Sequence, residues 1–208
     1  MLHTIFFDLD NTLYPRDSGI WEAIGDRIDL YIKDKLHIDE IKIPAIRNYC
    51  RENHGTTLMG LKSLYDIDAL DYLNFVHDVD LTTILVDDGQ LKVLLDSLPQ
   101  RKIIFTNSDK FHAKRVLNYF GVLGIFDEII DVLTTIPYVK PQPEAFTKAL
   151  STVGLSSAEG CVFIDDMIEN VEQGNEQGFL SILIGDPNEG FHSISDIFEL
   201  PDLLKTLS

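Results

Sequence analysis

Three short apolar runs in this chain end abruptly on polar side chains. Leu2-His3-Thr4-Ile5-Phe6-Phe7 runs into Asp8-Leu9-Asp10-Asn11-Thr12-Leu13. Ile103-Ile104-Phe105 runs into Thr106-Asn107-Ser108-Asp109, and Val162-Phe163-Ile164 runs into Asp165-Asp166. A buried strand that ejects carboxylates at its C-terminal end puts charge where it needs a partner, either a metal or a substrate. In open α/β sheets that end of the strand is also where ligands bind. Taken alone, the first segment also fits a pair of solvated turn acids capping the next helix. The repetition of the pattern favours a shared site.

The spacing between these runs sets the architecture. From about Asp88 onward strands and helices alternate. Helix Gly89–Leu98 leads to strand Lys102–Thr106, and helix Lys110–Phe120 to a short strand near Glu128–Asp131. Helix Pro143–Val153 leads to strand Cys161–Asp165, and helix Ile168–Gln177 to strand Ser181–Ile184. Such alternation predicts a parallel sheet covered on both faces. Ile194 to Leu207 reads as a closing helix, with Ser193 near its cap and Pro201 interrupting or restarting it. Between the first run and Asp88 the pattern is helical only. Trp21 to Leu36 carries Trp21, Ile24, Ile28, Tyr31 and Ile32 at helical spacing, with Ser18 as N-cap. Ile41–His54 (Asp39 as cap), Thr57–Tyr65 and Ala69–His77 follow. The expected division is therefore a core of residues 1–16 and 79–208 and a helical insertion of residues 17–78.

Composition narrows the class. With 208 residues and 45% apolar side chains, the chain can bury a sizeable core. Its 17 basic and 34 acidic residues leave a net charge of −17. That surface repels nucleic acid polymers and anionic membranes. Cys50 and Cys161 make no disulfide framework. Cys161 reads as a small core residue, and Cys50 has no evident role. No signal peptide and no membrane-length apolar run is visible, so a cytoplasmic protein is expected, as a monomer or homodimer. The six histidines are scattered, and a metal role for any is not expected. His112, with Lys110, Lys114 and Arg115, reads as a solvated basic helix face.

Between the second and third runs lies Val139-Lys140-Pro141-Gln142-Pro143-Glu144, a lone lysine before a proline-broken turn and a helix. Asp8, Asp10, Asp165 and Asp166, the Thr106 hydroxyl and Lys140 can converge on one site. Two unit charges about 4 Å apart repel by roughly 4 kcal/mol at an effective dielectric of 20. Several converged carboxylates therefore call for a cation, and hard oxygen ligands select Mg²⁺.

In their order and content these motifs, spanning Asp8 to Asn170, resemble the haloacid dehalogenase-type hydrolases, mostly magnesium-dependent phosphatases. The resemblance implies a Rossmann-like core with the first strand central and the helical insertion as a cap. It implies Asp8 as the nucleophile forming an aspartyl-phosphate and Asp10 as the acid that protonates the leaving oxygen and then activates water. To donate near neutral pH, Asp10 needs a carboxyl raised above its ordinary value of about 3.9. The resemblance further implies Asp8, the Asp10 carbonyl and Asp165 as metal ligands, with Asp166 and Asn170 orienting waters around them. Thr106 would hydrogen-bond the phosphoryl group, and Lys140 would bridge Asp8 and the phosphate. Dehalogenases of this superfamily lack an acid two residues after the nucleophile, so Asp10 argues against dehalogenation.

Asp10-Asn11-Thr12-Leu13-Tyr14-Pro15, Phe105-Thr106-Asn107, the stretch Arg51 to Leu61 and Asp68-Ala69-Leu70-Asp71-Tyr72 are similar to the pyrimidine 5′-nucleotidase branch. That implies a small phosphorylated substrate, a nucleoside monophosphate such as UMP or CMP. His54, Gly55, Thr56 and Met59 from the insertion, with Asn107 and Tyr14, are the implied base and ribose contacts. Ordinary packing is the competing role for Met59 and Tyr14. A sugar-phosphate phosphatase or phosphomutase would keep the same catalytic residues, and a non-catalytic binding protein would be expected to lose Asp8 or Asp10.

Overall fold

A computed structural model describes residues 1–207. In chain order the elements are β1 (Thr4–Phe7), α1 (Ile20–Asp34), α2 (Ile43–His54), α3 (Thr57–Tyr65), α4 (Ala69–Val76), α5 (Gln90–Ser97), β2 (Arg101–Phe105), α6 (Lys110–Tyr119), β3 (Glu128–Ile130), α7 (Val132–Thr135), α8 (Pro143–Thr152), β4 (Cys161–Asp165), α9 (Ile168–Glu176), β5 (Leu180–Ile184), β6 (His192–Ile194) and α10 (Leu200–Thr206). The contacts divide the chain into two compact units, residues 18–85 on one hand and residues 1–17 with the described part of 86–208 on the other.

The larger unit holds one six-stranded sheet in the order β3-β2-β1-β4-β5-β6, every pairing parallel. It is the α/β Rossmann-like fold that the alternation predicts. Strand β1 lies inside the sheet, between β2 and β4. Ile5, Phe6 and Phe7 have no exposed surface, so both faces of the strand are covered. On one face Phe6, Phe105 and Phe163 join Phe146 of α8 and Phe179. Phe105 and Phe163 meet Phe146 edge-on, with ring centroids 5.3 and 5.2 Å apart. Register brings the strand ends level. Phe7 pairs with Ile104 of β2 and Ile164 of β4, so Asp8, Phe105 and Asp165 come next on three adjacent strands. The Asp8 N–H donates to the Ile164 carbonyl at 2.8 Å and extends the ladder past the strand.

The smaller unit is four helices with two short 3-10 turns and no strand. Tyr31 of α1 packs edge-on against Tyr72 of α4, with centroids 5.0 Å apart. Helices α2 and α3 approach so closely that a Cβ on Gly60 would lie 2.3 Å from the Cβ of Cys50. Cys50 thus has a packing role: it is the small buried side chain that Gly60 seats against. Gly55 closes α2 with a φ of +78°, a conformation that favours glycine.

Three expectations need correction. Ser18 is not the N-cap of α1; Gly19 holds that position in a left-handed conformation, without a side-chain bond. Trp21 is half exposed, and Ile20 fills the buried position at the start of the helix. The closing helix does not begin at Ile194. His192–Ile194, Ser193 included, forms an edge strand pairing with β5, and Asp196 caps a 3-10 turn before α10, which begins with Pro201 in its first turn. The apolar spacing of a short edge strand is too brief to separate from a helix start.

Candidate active site

The end of β1, the end of β4 and the Lys140 turn build the site. Lys140 is almost wholly buried, and its Nζ donates to Asp8 Oδ1 at 2.8 Å, to Asp165 Oδ2 at 2.6 Å and to the Phe105 carbonyl at 2.7 Å. Burial works against its charge, but Asp165 and Asp8 outweigh it and raise Lys140 above the ordinary lysine value. All three ammonium protons are thereby used. Lys140 bridges two carboxylates here, where the motif pointed to Asp8 and a phosphate. Asn107 holds the lysine in place. Its Nδ2 donates to the Lys140 carbonyl and its Oδ1 accepts from the Lys140 N–H, both at 2.9 Å. Its amide thus clamps the Lys140 backbone with one N–H and one lone pair.

Asp8, Asp165 and Asp166 each offer a carboxylate oxygen, and the three oxygens lie within 4.8 Å of one another. Asp166 belongs to this cluster by distance, a step closer than its expected water-orienting place. The Asn11 amide donates to it at 3.3 Å, and Arg16 stands 3.9 Å away. Asn170 orients Asp165 directly: its Nδ2 donates to Asp165 Oδ1 at 2.8 Å, beside the Met167 N–H at 2.9 Å.

The electrostatics of this cluster are unbalanced. One ammonium faces three carboxylates. Burial pushes Asp8 well above the ordinary carboxylate range, and Asp165, Asp166 and Asp10 add to that against the pull of Lys140. Burial, with Asp165, likewise lifts Asp166 to about 6. A divalent cation would relieve this repulsion. An all-oxygen donor set of this kind suits Mg²⁺.

Asp10 behaves differently. Its carboxylate takes no part in the cluster. It accepts from Tyr14 Oη, from Ser108 Oγ at 2.5 Å and from His112 Nε2 at 2.8 Å. Burial pushes the Asp10 carboxyl up, but the charge and hydrogen bond of His112, with the bonds from Ser108 and Tyr14, outweigh it and hold Asp10 well below the usual range. The raised value that proton donation near neutral pH calls for is not what the resting site produces. Three donors around one carboxylate stabilise its charged form.

His112 corrects a further expectation, since it is fully buried and not part of a solvated face. The clue lay in its spacing. His112, Ala113, Val116 and Leu117 form the buried side of α6, while Lys114 is exposed. Ser108 was likewise passed over in favour of Thr106. Thr106 Oγ1 accepts from the Ser108 N–H at 3.0 Å and keeps its own proton free to donate. Tyr14 is buried, stacked on Phe120 with ring centroids 6.5 Å apart, and its hydroxyl serves Asp10.

The remaining candidates sit in the helical unit. His54 ends α2, with its ring tilted against Tyr49; Gly55 makes the turn; Thr56 caps α3 by accepting from the Met59 N–H at 3.2 Å. Within the larger unit a cavity of about 320 Å³ lies beside the carboxylates. Asn11 and Asp166 form part of its wall, with Arg16, Ser195 and Phe198 around it.

A parallel sheet with a buried acid cluster and lysine at the C-terminal ends of its inner strands defines a hydrolase built on a Rossmann-like core. The chain belongs to the haloacid dehalogenase-like hydrolases, whose family model matches residues 2–178. It is 30% identical over 187 residues to phosphate metabolism protein 8 of Saccharomyces cerevisiae, an alignment covering 83% of this chain and 58% of that protein. The chain thus spans little more than half the length of that curated relative. Among solved structures, the HAD-hydrolase YfnB of Bacillus subtilis, bound to magnesium, superposes with a TM-score of 0.64 at 18% identity, covering 98% of this chain and 99% of that one. A HAD phosphatase from Thermococcus onnurineus superposes at 0.62 and 20%, covering 98% of both. The L-2-haloacid dehalogenase of Xanthobacter autotrophicus superposes at 0.63 and 14%, covering both chains fully. At these identities the solved structures speak for the fold alone. Among the described residues no helix is long and apolar enough to cross a membrane.

Proposed function

We propose that this hydrolase is a Mg²⁺-dependent phosphomonoesterase that works through an aspartyl-phosphate on Asp8, and that its substrate is a pyrimidine nucleoside monophosphate, UMP or CMP. The observation that carries the first part is the buried cluster of Asp8, Asp165 and Asp166 around a single ammonium. A dianionic phosphoryl group could not approach it without added positive charge. Asp8, Asp165, Asp166 and the Asp10 carbonyl would hold Mg²⁺, which when bound would neutralise charge on the phosphoryl oxygens. The name of the yeast relative supports the phosphate chemistry.

In this reading Asp8 attacks phosphorus, the P–O bond to the alcohol breaks, and the leaving oxygen takes a proton from Asp10. Asp10 has to bind that proton as the anionic phosphoryl group arrives, against the low carboxyl of the resting site. Water then attacks the aspartyl-phosphate and returns a proton to Asp10. Thr106 donates to a phosphoryl oxygen, and Lys140 aims Asp8 and pulls it toward its ionised form. The nucleotide assignment rests on the likeness of Asp10–Pro15, Phe105–Asn107 and the helical insertion to the pyrimidine nucleotidases. In that assignment the helical unit is the cap, and His54, Thr56 and Met59 read the base. The test is phosphate release, with and without Mg²⁺, across nucleoside monophosphates, sugar phosphates and phosphoserine. Preference for UMP and CMP is expected. Turnover of sugar phosphates alone would keep the phosphatase and discard the nucleotidase.

A further inference from the structure

The carboxylate of Asp10 has more partners than a solvated acid needs, and they are unevenly shared between its oxygens. Oδ1 accepts from both the Tyr14 hydroxyl and His112 Nε2, while Oδ2 accepts from the Ser108 hydroxyl. Asp10, Tyr14, Ser108 and His112 are all buried. The three partners come from different places. Tyr14 lies one turn beyond Asp10 on the loop after β1, Ser108 on the loop after β2, and His112 on α6, where Asp109 caps the helix by accepting from the N–H of His112 at 3.0 Å. Tyr14 is in turn held by its stack on Phe120, just past the end of α6. A carboxylate gripped this way has one anchored oxygen and one that can exchange its partner, because a serine hydroxyl rotates freely.

Building on the phosphatase reading, we propose that His112 and Tyr14 are positioning residues that anchor Oδ1 of Asp10, so that Oδ2 is the oxygen that exchanges protons with the leaving group and with water. The balance is simple. In the first transfer the Asp8–phosphorus bond forms, the phosphorus–alcohol bond breaks, and the proton on Oδ2 passes to the alcohol oxygen. In the second a water proton returns to Oδ2 as the water oxygen bonds phosphorus and the Asp8–phosphorus bond breaks. In this role His112 and Tyr14 act through the orientation of Asp10 and need no contact with the substrate. A carboxylate free to rotate about its side-chain torsions would spend much of its time misaligned, and general acid catalysis depends on that alignment.

The leaving group exposes this role. An alkoxide such as the 5′-oxygen of a nucleoside needs the proton, whereas p-nitrophenolate leaves without one. The kcat/KM value reports the first transfer alone, so it separates this step from the shared hydrolysis of the aspartyl-phosphate. The experiment measures kcat/KM for UMP, or the best alkyl phosphate found, and for p-nitrophenyl phosphate, in Tyr14→Phe, His112→Leu, His112→Gln and Asp10→Asn. Each variant is first checked for a cooperative thermal transition, and Tyr14→Phe, which removes one oxygen from a packed ring, serves if the leucine variant does not fold. Tyr14→Phe and His112→Leu should lose at least about tenfold more on the alkyl ester than on the aryl ester, part of the range for general acid catalysis. His112→Gln, which keeps a donor near Nε2, should recover part of that loss. In an Asp10→Asn background, Tyr14→Phe should cost little more. Equal losses on both esters, or full additivity with Asp10→Asn, would overturn the anchoring role and leave the phosphatase standing. A wild-type protein that hydrolyses neither ester with Mg²⁺ would remove the phosphatase reading and this inference together.

Discussion

Asp8 and Asp10 share one strand end and only Leu9 separates them, yet their surroundings push them apart. Asp8 stands among carboxylates with one ammonium beside it, and burial with that repulsion raises its carboxyl. Asp10 stands among donors and is held low. At rest the two carboxyls are displaced opposite to the roles proposed for them, and a cation held beside Asp8 would lower its carboxyl again. Asp8→Asn keeps the shape and removes the attacking charge. Phosphate release should fall by about three orders of magnitude or more, with the thermal transition retained; near-normal turnover by the purified variant contradicts covalent catalysis. Asp165 is tied to Lys140, Asn170 and the Met167 N–H, whereas Asp166 has Asn11 and a distant, exposed Arg16. Titrating Mg²⁺ against activity should therefore show a larger rise in the half-saturating concentration for Asp165→Ala than for Asp166→Ala, and the reverse order would make Asp166 the main ligand. The residue types of this site were readable from motif order. Which donor each carboxylate met was not, because Ser108 and His112 reach Asp10 across 98 and 102 positions of chain.

Strand register is what brings the acids together. The pairing of Phe7 with Ile104 and Ile164 sets Asp8 level with Asp165, and a slip by one residue would turn each side chain to the opposite face. The alternation of apolar runs and helices predicted the parallel sheet, and β4 spans the predicted Cys161–Asp165. The α2–α3 pair shows what spacing cannot reveal. Apolar periodicity marked both helices, but the closeness of Gly60 to Cys50 belongs to their packing. Gly60→Val should therefore destabilise the helical unit, by about 1–3 kcal/mol for an overpacked interface, and chemical denaturation followed by far-UV circular dichroism would register it. A stability equal to wild type would mean that the two helices separate at little cost.

An acid whose carboxyl is raised on folding binds its proton more tightly in the folded chain. Asp166, lifted from its ordinary 3.8 to about 6, contributes stability that is full below its ordinary value and is lost as pH rises through about 6, and Asp8 acts in the same direction. A cation held by these carboxylates competes with those protons. Added Mg²⁺ should raise the melting temperature near neutral pH, on the order of several degrees at saturating concentration, and raise it much less near pH 5. A shift of equal size at both values would assign the metal effect elsewhere. On the proposed reading of the helical unit as a cap over the leaving group, substitutions at His54, Thr56 or Met59 should reorder the preference among UMP, CMP and purine monophosphates while changing p-nitrophenyl phosphate hydrolysis far less, since such a cap would spend its contacts on that part. Uniform losses over all these substrates would mean that these side chains only support the helices, as the capping bond of Thr56 already does.

Local rules were enough to lay out the chain: buried strands ending in Asp-x-Asp and Asp-Asp, helices between them, four helices inserted after the first strand, and a lysine before a proline turn. These follow from hydrophobic period, turn residues and the need of buried carboxylates for a partner, all of which act over a few residues. Long-range assembly decided the rest. It put Lys140 between Asp8 and Asp165, turned Asn107 onto the Lys140 backbone, drew His112 into the interior and closed three donors on Asp10. A side chain's partners, and with them its charge state, depend on which distant segments share its burial, and that is a property of packing in three dimensions.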